Sequence, residues 1–218
     1  MEMSNGEQQK TRPQLRLTLF TDYVCPFCFI GDLRLQQLRK DYDVLVNFRF
    51  IEIHPETPTQ GATVDSLDYS DEQWQGMMDG LLEMAAEEHV SLKPPRLLVN
   101  SHPALLLAEA AKSAGRETFY KLNQALYYGY FIEGRNIGDR DVLREIATDC
   151  GIREELVVKA WSDPEYEKIL QTNMAMAVKA GVTGTPTFFI GQQRFTGAVT
   201  TTRLKEAAAA YLQNRAEN

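Results

Sequence analysis

The chain has 218 residues, of which 44% are hydrophobic, and its formal net charge is −7. A chain of this length and composition can bury the core of one large domain or of two small ones. The acidic balance and the scattered basic residues argue against nucleic acid and against an anionic membrane as partners. The sequence contains no apolar run of about 18 residues, so no membrane-spanning helix is expected.

The N-terminal residues are polar and carry no apolar segment of the kind found in secretory signals. We therefore expect a disordered tail over residues 1–13 and a cytoplasmic location. Structural disulfides are rare in that compartment. Closely spaced cysteines in a cytoplasmic protein are therefore more often catalytic or metal-binding.

The first predicted unit is a strand, a helix and a second strand. Residues 15–20 alternate between apolar and polar side chains, which is typical of a strand. Pro26 is suited to the first position of a helix that runs to about Lys40. Residues 44–53 are rich in β-branched and aromatic side chains and predict the second strand. This order predicts two parallel strands joined by a right-handed crossover.

Helical periodicity dominates from about residue 61 to residue 181, after a loop that contains Pro55 and Pro58. Pro94-Pro95 is predicted to separate the first two helices of this block. Capping residues or prolines mark most helix starts, and glycines mark several ends. The predicted helices follow the capping box at residues 70–73, run from 101 to 114, span 119–130, extend from Asp139 to Gly151, cover 156–161 and extend from Pro164 to Ala180.

The strand pattern returns near the C-terminus. Residues 187–190 and 193–196 flank Gly191-Gln192 and predict a β-hairpin, which a closing helix at 202–213 follows. The simplest architecture is an α/β fold with an insertion. Residues 14–60 and 182–215 would form one layered domain, and residues 61–181 would form an inserted all-helical domain.

Two of the three cysteines, Cys25 and Cys28, lie between the first strand and the first helix in a C-x-x-C spacing. Unpaired N–H groups and the helix dipole lower the pKa of a thiol at a helix N-terminus. Cys28 is one turn further along, where it can displace a group that Cys25 has captured. The intervening Pro26 and Phe27 carry no charge, so we expect a less oxidising couple than a Pro-His pair would give.

A zinc site is the main alternative for the two cysteines. Zinc would require two further ligands. Cys150 stands alone, and the histidines at positions 54, 89 and 102 show no ligand spacing. We therefore predict a redox pair and no metal site. Cys150 is expected to be a small buried hydrophobic side chain, with a regulatory or second redox thiol as the alternative. His102 is expected to be an N-terminal helix residue.

Asp22 stands three residues before Cys25. One hypothesis places its carboxyl beneath the cysteines, where it accepts a proton from a thiol. The other hypothesis is that its side chain stabilises the loop after the first strand through an Asx turn. The sequence favours neither role.

A second motif, Gly184-Thr185-Pro186-Thr187, directly precedes the third predicted strand of the layered domain, and a proline there indicates an unusual backbone. Together with Cys25-Pro26-Phe27-Cys28, this motif resembles the thioredoxin superfamily, and the long helical insertion resembles DsbA. Three finer motifs are similar to the FrnE-like branch of the DSBA oxidoreductases across about residues 15–213. They are D-x-x-C-P-x-C-x-I-G at 22–31, N-S-H at 100–102 and Y-F-x-E-G-x-N-I at 130–137.

The resemblance implies a thioredoxin-like fold with an inserted all-helical domain, and catalysis by Cys25 and Cys28. It also implies a cis peptide bond between Thr185 and Pro186, facing Cys25. In that family the backbone before the cis proline pairs with an extended substrate segment, and the proline keeps metal away from the thiols. Thr185 and Pro186 are therefore the expected substrate-binding residues.

Three residues are expected to tune the couple: Asp22, Pro26 and Phe27. The implied partner is a protein or a small molecule that carries a thiol or a disulfide, and the implied assembly is a monomer or a homodimer. The sequence carries no nucleotide-binding glycine motif. No flavin, nucleotide or metal cofactor is implied, and glutathione as a co-substrate is left open.

Three function classes follow from these observations. A reducing cytosol would keep the pair as thiols, which favours a protein disulfide reductase or isomerase. The related kappa-class glutathione transferases and 2-hydroxychromene-2-carboxylate isomerases share the insertion, but they usually carry serine where Cys25 stands and lack the second cysteine. The third class is a chaperone-like binding protein that uses the apolar surface of the helical insertion.

Overall fold

The computed structural model describes residues 12–67, 69–93 and 97–216. The strands are β1 (Gln14–Thr21), β2 (Asp43–Phe50), β3 (Ala62–Thr63), β4 (Leu97–Leu98), β5 (Thr187–Ile190) and β6 (Gln193–Thr196). The helices are α1 (Pro26–Leu38), α2 (Asp71–Glu87), α3 (His102–Ala111), α4 (Arg116–Phe131), α5 (Arg140–Asp149), α6 (Glu154–Ser162), α7 (Pro164–Lys179) and α8 (Thr201–Ala216), with 3₁₀ turns at Val64–Ser66 and Lys112–Ala114.

The main sheet has four strands in the order β2-β1-β5-β6. Strand β1 pairs in parallel with β2 and antiparallel with β5, and β5 pairs antiparallel with β6. The predicted strand-helix-strand unit and the C-terminal hairpin are therefore confirmed. The small sheet of β3 and β4 was not predicted, because each strand has only two residues.

Most predicted boundaries agree within a few residues, and the differences have local causes. The second strand ends at Phe50 rather than at residue 53, because the backbone N–H of Ile53 donates to the Asp22 carboxylate instead of joining the sheet. Helix α1 ends at Leu38, since the backbone beyond it turns into β2. The predicted capping box of α2 is present, with reciprocal bonds between Ser70 and Gln73.

Helices cover both faces of the sheet. On one face, Leu15, Leu19 and Phe48 belong to the large buried cluster that includes residues of α1, α3 and α4. On the other face, Phe20 packs with Ile51 and with a residue of α7 in a smaller cluster. Helix α7 contacts both β2 and α3. The proposed division into residues 14–60 with 182–215 and residues 61–181 stays a prediction.

Arg34 joins three distant segments. Its buried guanidinium donates to Glu87 at 2.8 Å and to Glu88 at 2.9 Å, at the end of α2. It also donates to the carbonyl of Ala198, in the connection between β6 and α8. This side chain therefore links α1 to the end of α2 and to the connection between β6 and α8.

Strand β2 lies at one edge of the sheet, and side chains from the helical segment cover its outer carbonyl groups. Lys112 Nζ donates to the carbonyl of Phe48 at 2.8 Å. The hydroxyl of Tyr120 donates to the carbonyl of Val44 at 3.4 Å. These bonds satisfy acceptors that an edge strand would otherwise leave open.

Two sequence predictions fall on parts of the chain that the structure does not describe. Residues 1–11 of the predicted tail lie outside the described residues, and so does Pro94-Pro95. Arg12 and Pro13, at the end of the predicted tail, are exposed. Across residues 12–67, 69–93 and 97–216, no helix is long and apolar enough to cross a membrane.

Candidate active site

Cys25 and Cys28 stand at the start of α1. Cys25 is the residue that caps the helix, and Pro26 occupies the first helical position. The backbone N–H of Cys28 donates to the carbonyl of Cys25 at 3.0 Å, which closes the first turn. Both side chains are free thiols and both are buried, with 4% of Cys25 and 0% of Cys28 exposed. The local sequence thus brings the two predicted catalytic sulfurs to one end of one helix.

The pKa of Cys25 is lowered. Burial opposes ionisation of this thiol, but hydrogen bonds from the Cys28 thiol, the Thr185 side chain and the Cys28 backbone N–H favour the thiolate. The negative charge of Asp22 works in the other direction. Local donors at a helix N-terminus therefore prevail over desolvation, as expected for a nucleophilic cysteine.

The pKa of Cys28 is raised well above its ordinary value. Burial is the largest cause, and the hydrogen bond and negative charge of Cys25 act in the same direction. The side chain of Thr21 and the backbone of Asp22 donate hydrogen bonds that offset part of this effect. Cys28 therefore keeps its proton while Cys25 ionises, which gives the two thiols different chemical roles.

The Thr185–Pro186 segment faces the first cysteine. The peptide bond between these residues is cis, as predicted. The Sγ atom of Cys25 lies 3.5 Å from the carbonyl oxygen of Thr185 and can donate its proton to it. The predicted contact between this segment and the sulfur is therefore confirmed, while the substrate-binding role of Thr185 and Pro186 stays a prediction.

Gly31 allows this close approach between α1 and the start of β5. A Cβ atom at Gly31 would lie 3.2 Å from Cγ of Pro186 and 3.0 Å from Cζ of Phe188. Both neighbours are buried, so neither has free space to move into. The glycine belongs to the motif that suggested the family, but its packing role is visible only in the structure.

Asp22 lies in the connection between β1 and α1 and is fully buried. Its carboxylate accepts from the N–H of Val24 at 3.3 Å, from the N–H of Ile53 at 2.9 Å and from the hydroxyl of Ser101 at 3.2 Å. The contact with Val24 is the loop-stabilising Asx arrangement. Burial raises the pKa of Asp22 to about 6, despite these three donors. Proton acceptance by Asp22 stays a prediction.

A buried polar network below the cysteines was not identified from the sequence. Asp32 accepts from Asn123 at 2.8 Å, and Asn123 in turn accepts from the hydroxyl of Tyr23 at 3.0 Å. Burial raises the pKa of Asp32. The i,i+4 spacing of Cys28 and Asp32 on one helix could have drawn attention to Asp32. Nothing local in the sequence indicates Asn123, which comes from α4.

Other candidates lie outside the sulfur pair. Phe27 and Pro26 are partly exposed at the helix start, as expected for residues that border a site. Cys150 is buried at the end of α5, and burial raises its pKa. His102 is the first residue of α3, as predicted, and it bridges Glu52 at 3.1 Å and Glu167 at 3.0 Å. Hydrogen bonding to Glu52 raises the pKa of this histidine.

Cysteine, histidine and acidic side chains are the usual protein ligands of metal ions. Within the part of the chain that the structure describes, no group of three or more such side chains is arranged to hold a metal ion.

Comparison with known proteins agrees with this geometry. A family model for the DSBA-like thioredoxin domain matches residues 16–209. The chain belongs to this family. The resemblance inferred from the motifs is confirmed, and so is the thioredoxin-like α/β fold with a helical insertion.

The chain is also similar to a curated protein and to two solved structures. The uncharacterized protein YwbO of Bacillus subtilis is 28% identical over 189 residues, which cover 84% of this chain and 90% of YwbO. A probable DsbA oxidoreductase from Streptomyces coelicolor has a TM-score of 0.80 at 24% identity. This match covers 91% of this chain and 90% of the Streptomyces chain. The cytosolic disulfide reductase DsbM from Pseudomonas aeruginosa, solved with GSH, has a TM-score of 0.66 at 16% identity. This match covers 94% of this chain and 100% of the DsbM chain.

Proposed function

We propose that this protein is a thiol–disulfide oxidoreductase that acts through Cys25 and Cys28. The observation that carries the proposal is the pair of free thiols at the start of α1, with Cys25 Sγ 3.5 Å from the carbonyl oxygen of Thr185. The lowered pKa of Cys25 and the raised pKa of Cys28 agree with it. Exchange needs one thiolate that attacks and a second thiol that stays protonated until it resolves the intermediate. Membership of the DSBA-like family supports the same chemistry.

The reaction proceeds in two balanced steps. The Cys25 thiolate attacks one sulfur of a substrate disulfide, so a Cys25–substrate disulfide forms and the other substrate sulfur leaves and takes up a proton. Cys28 then loses its proton and attacks Sγ of Cys25, and the remaining substrate sulfur leaves as a thiol. The substrate gains two electrons and the pair becomes a disulfide, which a dithiol protein or a small thiol must reduce for the next turnover.

The substrate is expected to lie beside Thr185. Its carbonyl oxygen lies 3.5 Å from Cys25 Sγ, and its backbone could pair with an extended peptide that presents a disulfide to that sulfur. Thr185 is partly exposed, whereas Cys25 is 4% exposed, so the substrate would reach the sulfur past this residue. We assign Thr185 and Pro186 to substrate binding.

We further propose that the protein acts in the cytoplasm as a protein disulfide reductase or isomerase, with no metal, flavin or nucleotide cofactor. The description of DsbM as a cytosolic disulfide reductase solved with GSH supports glutathione as a co-substrate to be tested here. A kappa-type transferase is less well supported, because this site carries two cysteines rather than a serine. The protein is proposed to act as a monomer or a homodimer.

Insulin reduction with a thiol reductant tests the function. We expect the wild-type protein to accelerate it, Cys25→Ser to abolish the acceleration, and Cys28→Ser to accumulate a mixed disulfide with the substrate. Cys150→Ser is the matched control, because it removes a buried thiol at the end of α5, and it should retain activity. Full activity of the Cys25→Ser protein would disprove the proposed mechanism.

A further inference from the structure

The resolving step requires that Cys28 ionises to a thiolate while it is buried. Cys28 is fully buried, and its sulfur must lose a proton before it can attack Cys25. An anion in such an environment needs hydrogen-bond donors close to it, because no solvent reaches it. The donors around Cys28 therefore bear directly on the second half of the reaction.

Two hydroxyl groups form a chain that leads to this sulfur. The side chain of Thr21, at the end of β1, lies near Cys28, where a hydrogen bond from its hydroxyl would favour the thiolate. The Thr21 hydroxyl also lies 2.7 Å from the hydroxyl of Tyr127, on α4. Tyr127 has a second acceptor, the backbone carbonyl of Asp22, at 3.4 Å. Thr21 and Tyr127 are both buried, with 0% and 1% exposed.

Each hydroxyl has one proton, so the chain has two orientations. When Cys28 is a thiol, Tyr127 can donate to the Asp22 carbonyl and Thr21 can donate to Tyr127. When Cys28 is a thiolate, Thr21 donates to the sulfur and Tyr127 donates to Thr21. Rotation of the Thr21 and Tyr127 hydroxyl groups about their C–O bonds thus supplies a donor to the sulfur, and no heavier atom has to move.

Aromatic packing fixes the position of the Tyr127 hydroxyl. The ring of Tyr127 stacks on Phe29, with centroids 5.7 Å apart, and packs against Tyr23 at 4.8 Å and Phe131 at 6.5 Å. Phe29 directly follows Cys28 on α1. Helix α4 therefore holds the Tyr127 hydroxyl in a fixed position near the resolving cysteine.

We propose that Tyr127 is a positioning residue that acts through Thr21 to stabilise the thiolate of Cys28 during resolution of the mixed disulfide. The inference rests on the proposed function, because it concerns the second exchange step. In that step the Cys28 sulfur loses its proton and bonds to Cys25 Sγ. The bond between Cys25 and the substrate sulfur breaks, and the departing substrate sulfur takes up a proton.

Ellman's reagent, added to the reduced protein in equimolar amount, separates the two steps. Attack by Cys25 releases the first thionitrobenzoate and leaves the second on Cys25, and attack by Cys28 releases the second. We expect Tyr127→Phe to leave the first phase unchanged and to slow the second phase by about threefold to tenfold, the scale of one lost hydrogen bond between neutral groups. The pH midpoint of the second phase should also rise, which a merely structural change would not produce.

Matched variants isolate the hydroxyl chain. Tyr130→Phe removes a hydroxyl from the same helix that donates to the carbonyl of Leu97 at 2.8 Å, and it should change neither phase. Thr21→Val should reproduce the slow second phase, and Thr21→Ser should restore it, since serine keeps the donor. This pair decides the question if Tyr127→Phe does not fold, as judged by near-UV circular dichroism.

The outcomes separate this inference from the proposed function. A wild-type protein that releases thionitrobenzoate in two phases, with an unaltered second phase in Tyr127→Phe, overturns the role of Tyr127 alone. An unaltered second phase in Thr21→Val overturns it as well. A wild-type protein that shows no second release contradicts the proposed function itself.

Discussion

Cys25 and Cys28 are both buried, yet their pKa values move in opposite directions. Burial raises the pKa of both thiols, so the opposite shifts come from a few hydrogen-bond donors and from the interaction between the two thiols. The sequence predicted the lower pKa of Cys25 because its place at a helix start is a local feature. The donors from Thr21 and Thr185 depend on packing across the sheet, and the spacing of the cysteines does not reveal them.

Asp22 should make stability depend on pH. Its pKa is raised from 3.8 to about 6 on folding, so the folded protein disfavours its charged form. The associated stability is fully present below about pH 4 and is lost as the pH rises past about 6. Relative to Asp22→Asn, which does not titrate, the wild-type protein should lose roughly 2 kcal/mol of unfolding free energy between about pH 4 and pH 7.

Urea unfolding of both proteins at several pH values in this range measures the difference. The remaining titratable groups are common to the two proteins and cancel in the comparison to first order. Parallel curves for wild type and Asp22→Asn would show that the buried carboxyl does not titrate differently on folding. The same variant should lower the pKa of Cys25, because the negative charge of Asp22 raises it, and thiolate absorbance against pH records that shift.

Phe27 should limit the oxidising power of the couple. It is uncharged and partly exposed beside Cys25. Phe27→His would place a donor or a positive charge near the thiolate, stabilise the reduced form and raise the reduction potential by about 30 mV for each tenfold change in equilibrium. Equilibration with glutathione buffers gives the potential, with Phe27→Leu as the uncharged control. A wild-type potential near the roughly −120 mV of DsbA would contradict this expectation.

At the level of elements, the sequence predicted the sheet strands, the helices and the hairpin because period, caps and turn residues are local signals. It overestimated β2 by three residues, since the bond from Ile53 to Asp22 joins segments about thirty residues apart. Helix α7 lies within the predicted insertion and contacts both β2 and α3. A helical period reveals an apolar face but not which neighbour that face meets.

The contact between α1 and β5 should depend on Gly31. Alanine in a helix gains about 1 kcal/mol over glycine, but overpacking a core costs about 1–3 kcal/mol. At Gly31 the new methyl group would press on buried Pro186 and Phe188, so we expect Gly31→Ala to lose about 1 kcal/mol of stability and to slow exchange by Cys25.

Gly80 provides the matched control for that substitution. It lies in α2, and an added Cβ atom there would meet nothing within 4 Å. Gly80→Ala should therefore gain up to about 1 kcal/mol. Chemical denaturation of both variants measures the difference, and an equal gain at the two positions would show that α1 and β5 have room to separate.

At the scale of the whole molecule, the contacts that hold distant segments together are the least visible in the sequence. Arg34 meets partners more than fifty residues away, and Tyr127 meets Thr21 across 106 positions. No local pattern encodes such pairs, because they depend on how the completed elements pack. The sulfur pair and the Thr185–Pro186 segment could be predicted because their motifs are short and contiguous.

Arg34→Ala should destabilise the protein strongly. It would leave Glu88, which is 10% exposed, without its cation, and losing one partner of a buried pair costs about 3–5 kcal/mol. Arg203→Ala is the control, since its pair with Glu206 is more than 60% exposed on both sides and such pairs contribute below about 1 kcal/mol. Thermal unfolding of the two variants tests this, and similar losses would argue against a linking role for Arg34.

The coverage of β2 by Lys112 and Tyr120 bears on how copies of this protein can meet. A bare outer strand invites a strand from a second molecule, which leads to continuous intermolecular sheets and fibrils. Here three of the outward carbonyl groups already have intramolecular donors, since Asn173 donates to that of Phe50 at 3.2 Å. A second chain would have to displace these donors before it could extend the sheet from this side, which opposes intermolecular strand pairing at β2.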